Sequence, residues 1–365
     1  MTHVVFDFDG GGMETIVSVL VERLARSDIE MSVISLSGRE GRMGRAMRPL
    51  LSDYVYFRPI PIASMLLPLG LIRVLRRQRP DVVHLHSGSW FKGAVAARLA
   101  GVPSVIFTEH GREHHDPPAR RWLDTIAARL TDRVICVSER LARYVVDRVG
   151  VRPERVTCIP NGVDAALFTP GDPSDQCWSG LAIPPGSIVI GSVGRLETVK
   201  AYERLISAFA LMVRRQKARP CVLVIWGDGA ERERLERHAA DLGVAELVRL
   251  PGWTDRRVDA HRCLDVFSLT SVSEGASVSL MEAMACGSVP MVMDVGANAE
   301  IVGPELAGCV VPDGNVERLA DQLLRVASDD PWRSAAGAMA RRRVESTYSL
   351  DAMVERYRSL YRSAS

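Results

Sequence analysis

Lysine is almost missing from this chain: of its 46 cationic residues, Lys92, Lys200 and Lys217 are lysines and the other 43 are arginines. A compact ammonium is therefore an exception here, and Lys200 is the one that falls near other candidate residues. Long apolar runs are missing as well. The longest, 60–72, has thirteen residues broken by Pro61 and Pro68, too short to cross a bilayer. No leader-like segment opens the chain, which is expected to enter a strand within three residues, so a cytoplasmic protein is expected. The seven cysteines are an odd, scattered set with no C-x-x-C pair, which argues against a zinc knuckle or a disulfide framework and fits a reducing compartment. Cys136, Cys158 and Cys221 stand in β-rich apolar segments, where a free thiol is a small core residue. There is no basic–aromatic array, zinc-finger or RNP pattern, so nucleic acid is not an expected partner. Net charge is small, +2, but uneven: residues 1–170 carry 23 Lys/Arg against 18 Asp/Glu, and the rest 23 against 26. The excess gathers in 39–79, with nine arginines against Glu40 and Asp53.

What is present is alternation, and at 365 residues there is enough of it for two domains. Residues 3–8 read as a strand, Asp9-Gly10-Gly11-Gly12 as a tight turn and 13–26 as a helix with Ile16, Val17, Leu20 and Leu24 at helical spacing. Strands follow at 31–36, 82–85, 104–108, 133–137 and 156–159, with helices at 90–99 and 138–149. A polar, Pro/Gly-rich stretch, 169–186, reads as a linker. The pattern then restarts with strands at 187–193, 221–226, 247–250, 266–269 and 289–292 and helices at 201–215 and 231–241. The fold class is α/β: two doubly wound, Rossmann-like parallel-sheet domains, 1–168 and 187–345, with a C-terminal helix in 346–365 completing the first.

The densest patch is 273–300, SEGASVSLMEAMACGSVPMVMDVGANAE. Glu274 lies in a turn rich in serine and glycine, and Glu282 lies inside a helical apolar run that Gly287 stops. A strand, a polar turn and a helix start leave the backbone N–H groups of 275–278 facing the turn, where donors and helix dipole together suit an anion. The two carboxylates would read hydroxyls on either side of a phosphate; two glutamates on a solvated helix would show the same spacing. Arg195 and Lys200 flank a helix start just after a strand end, and would neutralise a diphosphate without metal. Taken singly, each reads as a solvated surface charge. His110 ends a strand before Gly111, and ligands in open parallel sheets sit beyond strand carboxyl ends. His84, His86, His114 and His115 compete with it. The Gly11-Gly12 turn would approach a phosphate closely, although there is no G-x-G-x-x-G fingerprint. No D-x-D pair occupies a plausible loop, so no metal site is expected; Asp7 and Asp9, beside the glycine turn, keep that question open, and Asp9 would alternatively serve as a base.

Nine segments, in this order over roughly 3–325, resemble the retaining, nucleotide-sugar-dependent glycosyltransferases of family 4, which have the GT-B fold: GGGME, VVHLHS, TEHG, VICVSERLARYVV, IPNGVDAALFTP, VGRLETVK, LVIWGDGAERERLE, VRLPGW and the patch that begins at Ser273. The resemblance implies two Rossmann-like domains facing a central cleft, with acceptor recognition in the first and the donor, a nucleoside-diphosphate sugar of UDP or GDP type, on the second. It implies that Arg195 and Lys200 hold the donor pyrophosphate, that Glu282 bonds the ribose and that Glu274 orients the sugar. Backbone groups of Ala276, Ser277 and Val278 would cap the distal phosphate, Gly11 and Gly12 would close on the donor, and His110 would lie near sugar and acceptor. No cofactor or divalent metal is implied. Ala276 stands where many relatives carry a large apolar residue, and Asp294 with Gly296-Ala297-Asn298 replaces their glycine pair; both changes bear on which sugar is used.

The acceptor is expected to be a glycan, a lipid-linked sugar or a small molecule. The arginine-rich stretch 39–79, with apolar 65–75, would lie on an anionic membrane at its inner face, or 69–79 would be an ordinary amphipathic helix. Two other classes fit the same fold: a nucleotide-sugar epimerase, which needs no acceptor, and a catalytically silent sugar-nucleotide-binding homologue.

Overall fold

The computed structural model describes residues 1–26, 29–57, 68–112, 117–172, 181–215 and 219–364. The chain forms two compact units, Met1–Asn161 with Asp351–Ser365, and Gly162–Leu350. The linker expected at 169–186 includes 173–180, which lie outside the described residues, as do His114 and His115.

The first unit is built on seven parallel strands: β1 (Thr2–Val5), β2 (Ser32–Ser35), β3 (Asp53–Tyr56), β4 (Val82–His86), β5 (Ser104–Glu109), β6 (Arg133–Cys136) and β7 (Val156–Cys158). Their order is β3-β2-β1-β4-β5-β6-β7. β1, β2, β4 and β5 are buried at every position, the signature of a parallel sheet covered on both faces. Strand order reverses between β1 and β4, which makes their carboxyl ends the place where such a sheet opens for a ligand.

The stretch 39–79 is more structured than its composition suggests. It contains helix Arg42–Met47, β3 and helix Leu69–Gln78, with 58–67 outside the described residues. Leu71, Ile72 and Leu75 are buried, so the apolar face of that last helix is used by the core. Arg48 and Arg77 pair with Glu40 (2.9 Å) and Asp53 (3.2 Å). Downstream, the expected helix 138–149 is shorter. Ser138 caps Glu139–Tyr144 by accepting the Leu141 N–H, and a π-helical turn, Val145–Val149, ends at Gly150.

The second unit has six parallel strands: β8 (Ile188–Val193), β9 (Cys221–Trp226), β10 (Val248–Gly252), β11 (Val266–Leu269), β12 (Val289–Met293) and β13 (Val310–Val311). Their order is β10-β9-β8-β11-β12-β13, with the reversal between β8 and β11. Among the described residues, Cys136, Cys158, Cys221, Cys286 and Cys309 are free thiols and Cys263 is disulfide-bonded, which the scattered spacing of cysteines did not foresee.

A histidine cluster fills the first unit beneath helix Leu350–Ala364. Side chains alternate along a strand, so His84 and His86 share one face of β4, with ring centroids 4.2 Å apart. His3 of β1 joins them, its Nδ1 2.9 Å from His86 Nε2. His84 Nδ1 lies 2.7 Å from the Tyr361 hydroxyl and its Nε2 2.7 Å from Thr108 Oγ1. Burial lowers the pKa of His3 to about 3 and holds His84 and His86 well below the ordinary value, so all three are neutral near pH 7. An unfolded chain takes up protons on these histidines below about pH 6.5, whereas the folded chain does not. Stability present above that pH is therefore lost as pH falls, by roughly 1.4 kcal/mol per pH unit for each buried histidine. Urea midpoints are expected to drop between pH 6.5 and 5, ahead of most carboxylate titration. A flat profile over that window would show that the cluster is protonated in the fold.

Candidate functional site

In the second unit the sequence candidates converge where β8 and β11 end. β8 stops at Val193, and the chain passes through Gly194 and Arg195 into a 3-10 turn, Thr198–Lys200. Ala201 then takes a left-handed backbone, φ 47°, before helix Tyr202–Arg215. Two hydrogen bonds tie this turn to the end of β11: Thr270 Oγ1 donates to the Ala201 carbonyl (3.1 Å), and the Val272 N–H donates to that of Val199 (2.9 Å). The turn thus delivers Lys200 Nζ to 2.6 Å from Glu274 Oε1, the same oxygen to which Ser271 donates at 2.6 Å. The two side chains are 20% and 9% exposed. Burial alone would lower the pKa of Lys200, but the charge and hydrogen bond of Glu274 carry it above its ordinary value, so the ammonium is held. Arg195 is different: 61% exposed, it pairs with Glu197 at 2.7 Å.

Helix Val278–Ala285 starts beside this pair. Ser277 caps it, its Oγ accepting the N–H of Leu280 and its carbonyl that of Met281. Among the described residues no acceptor stands against the N–H groups of Val278 and Ser279, so an anion at this helix end has two donors waiting. Ser279 Oγ donates to the Val193 carbonyl at 2.6 Å, fixing the helix to the end of β8. The loop after β12 presses on the same turn. A Cβ at Gly296 (φ 58°) would lie 2.1 Å from the Glu274 carbonyl oxygen, so this position admits glycine alone, and Ala297 N–H donates to Gly275.

Glu282 lies about one turn into the helix and is buried. Arg257 pairs with its Oε1 and His261 Nε2 lies 3.0 Å from its Oε2. Burial, with Arg257 adding to it, lowers His261 to about 3, so the ring is neutral and donates from Nε2 to the carboxylate. Each carboxylate oxygen keeps a lone pair for a ligand hydroxyl. Arg257 and His261 were not anticipated from sequence. Their only signal is an i, i+4 spacing on helix Arg257–Arg262, and one arginine among 43 draws no attention.

Gly11, Gly12 and His110 belong to the first unit. Gly11 is extended (φ 172°, ψ −178°) and precedes helix Gly12–Leu24 after the end of β1. Asp9 accepts the Arg42 backbone N–H at 2.8 Å; that bond, with the Arg42 charge, lowers its pKa and makes it a weaker base. Asp7 accepts from Phe8 N–H and Ser37 Oγ. His110 follows β5. Its N–H donates to Ser87 Oγ (2.9 Å), and its Nε2 lies 2.9 Å from His86 Nδ1. Ser87 also donates to Glu109 (2.7 Å), which Arg112 neutralises at 2.7 Å. Burial lowers His110 to about 3, so it works as a neutral ring. Nitrogens of His3, His84 and His86 lie within 4.8 Å of one another, close enough for a metal. Five of the six already sit in hydrogen bonds, His3 Nε2 being the exception, so the cluster reads as a bonded network.

The profile of Glycosyltransferase Family 4 matches residues 10–167, and that of Glycosyl transferases group 1 matches 179–343. An Escherichia coli enzyme, UDP-Gal:alpha-D-GlcNAc-diphosphoundecaprenol alpha-1,3-galactosyltransferase, is 28% identical over 305 residues, 80% of this chain and 78% of its own. D-inositol 3-phosphate glycosyltransferase of Nocardiopsis dassonvillei is 28% identical over 394, covering 97% and 90%. Among solved structures, Anabaena HepE, determined with UDP and with UDP-glucose, superposes with a TM-score of 0.82 at 19% identity over 99% of each chain. One profile on each half, two parallel-sheet units and whole-length relatives lead to one statement: the chain belongs to the family 4, group 1 glycosyltransferases and has the GT-B fold.

Proposed function

We propose that this glycosyltransferase moves a sugar from a UDP-type nucleotide sugar to a hydroxyl of a glycan or lipid-linked acceptor, with retention at the anomeric carbon and without a divalent metal, in polysaccharide or glycoconjugate assembly. The observation that carries the reading is the buried pairing of Lys200 with Glu274 at the β8/β11 reversal, beside two N–H donors of helix Val278–Ala285. It is a place for a diphosphate next to a place for hydroxyls. The E. coli relative is named for UDP-Gal and for an acceptor on diphosphoundecaprenol, and HepE was solved with UDP and UDP-glucose; these favour UDP over GDP and a lipid-linked over a free acceptor. The inositol-phosphate relatives favour the small-molecule alternative. In this reading the second unit carries the donor and the first carries the acceptor. Contact of 39–79 with an anionic membrane has less support, since Leu71, Ile72 and Leu75 are buried.

The chemistry follows from charge. As the bond between the anomeric carbon and the phosphate oxygen breaks, negative charge grows on the leaving diphosphate. Arg195, Lys200 and the N–H groups of Val278 and Ser279 stabilise it there, in a site already organised. The acceptor oxygen bonds to the same face of the anomeric carbon, and its proton passes to the departing phosphate oxygen. No protein nucleophile is needed, and Glu274, paired with Lys200 and accepting a hydrogen bond from Ser271, is a poor one. Glu274 accepts from sugar hydroxyls and Glu282 from the ribose. The cationic and N–H donors supply the positive charge that a metal would otherwise bring.

The reading is tested first by thermal shift against UDP, GDP and their sugars, with and without EDTA. UDP compounds are expected to stabilise most, unaffected by EDTA. No shift with any nucleotide would overturn the donor-site assignment, and a shift abolished by EDTA would overturn metal independence. Arg195→Ala is expected to leave unliganded stability within about 0.5 kcal/mol, because the residue is exposed, while weakening UDP binding about tenfold or more. Lys200→Met should lower kcat on the order of a hundredfold, as loss of a preorganised charge-stabilising group does. An anomeric NMR coupling in the product opposite to that in the donor would rule out retention.

A further inference from the structure

Three imidazoles form a single file in the first unit. His3 Nδ1 lies 2.9 Å from His86 Nε2, and His86 Nδ1 lies 2.9 Å from His110 Nε2. The two end atoms, His3 Nε2 and His110 Nδ1, are buried and without a hydrogen-bond partner. His84 stands beside the file and outside it, both its nitrogens being engaged with Tyr361 and Thr108. A neutral imidazole has one N–H and one lone pair. Two bonds through three such rings therefore force every N–H to point the same way along the file. Only two arrangements exist: N–H at the His110 end with a lone pair at the His3 end, or the reverse.

The ends are not equivalent. His3 is 0% exposed on a central strand, where nothing can reach its Nε2. His110 is half-buried just beyond β5, at the carboxyl edge where ligands of such sheets sit. A stranded N–H in a sealed interior is rarer than a stranded lone pair. Both end nitrogens are buried, but an N–H on His3 would stay stranded, whereas one on His110, whose ring is partly exposed at that edge, can be met by a ligand; the inner end thus takes the lone pair and the outer end the N–H. We infer that His3 and His86 are positioning residues that fix His110 as its Nδ1–H tautomer, so that His110 offers a hydrogen-bond donor, and not a basic lone pair, to an oxygen of its ligand. The buried, uncharged state of all three rings keeps the file in this neutral form.

The tautomer follows from the geometry; its effect on transfer rests on the proposed function and on the place beside sugar and acceptor that the family resemblance implies for His110. The experiment uses full-length protein labelled with 15N-histidine and long-range 1H–15N correlation, in which the two neutral tautomers have distinct patterns. In the wild type, at pH 7 and without ligand, His110 should show the Nδ1–H pattern; the Nε2–H pattern, or a protonated ring, overturns the inference. His86→Leu, which keeps the site apolar and filled, should move His110 off the pure Nδ1–H pattern. An unchanged pattern in that variant would show that the file does not set the tautomer. In UDP-sugar turnover, the same variant should lose about tenfold in kcat, the worth of one hydrogen bond, with KM for the donor nearly constant. A changed tautomer with unchanged kcat would leave the file intact and remove His110 from the reaction. Absence of turnover in the wild type would overturn the proposed function while the tautomer result stands.

Discussion

A lysine ammonium and a carboxylate taken out of water require each other, because removing either partner leaves an uncompensated charge worth roughly 3–5 kcal/mol. The pairing of Lys200 and Glu274 imposes that condition on the second unit. It is met only if the turn after β8 and the turn after β11 are held at a set separation. Thr270 and Val272 provide the stitch between them, Ser279 anchors the following helix to β8, and Gly296 lets a third loop close in behind. In the proposed reading, a diphosphate reaching Lys200 would meet a cation whose other partner is already in place. Glu282 repeats the arrangement a helical distance away, with Arg257 and His261 as its partners. Both acids are thus restrained, yet each retains lone pairs for a hydroxyl.

How much of this was legible follows from what each feature depends on. β8 and β9 are rich in valine and isoleucine and each ends before a glycine, and β11 is a short apolar run between Asp265 and Thr270; β9 and β11 match their expected bounds. The position of Glu274 before a helix start, and of Lys200 after a strand, could be read in the same way. Their direct contact could not, since 74 residues separate them and the contact exists only because β8 and β11 are neighbours. β3 escaped notice for a different reason. Asp53-Tyr54-Val55-Tyr56 has one buried residue and lies in an arginine-rich stretch whose charge drew attention to solvent or membrane.

The histidines show the same limit. His84 and His86 could be placed on one face of a strand by period alone. His3, 83 residues before His86, joins them only through the pairing of β1 with β4, and the network is capped by tyrosines from the far end of the chain. The position of His110 at a strand end was readable; its state as a neutral ring is set by burial that no local pattern encodes.

That capping by Tyr357 and Tyr361 has a consequence in time. The main body of the first unit ends at Asn161, and its last piece begins at Asp351, 351 − 161 = 190 positions later. At about 5–20 residues per second, a ribosome needs on the order of 10–40 s to deliver it. Throughout that interval the nascent sheet carries histidines whose lid has not been made, and the whole of the intervening unit emerges first. The order of synthesis thus makes the amino-terminal half the last to be finished.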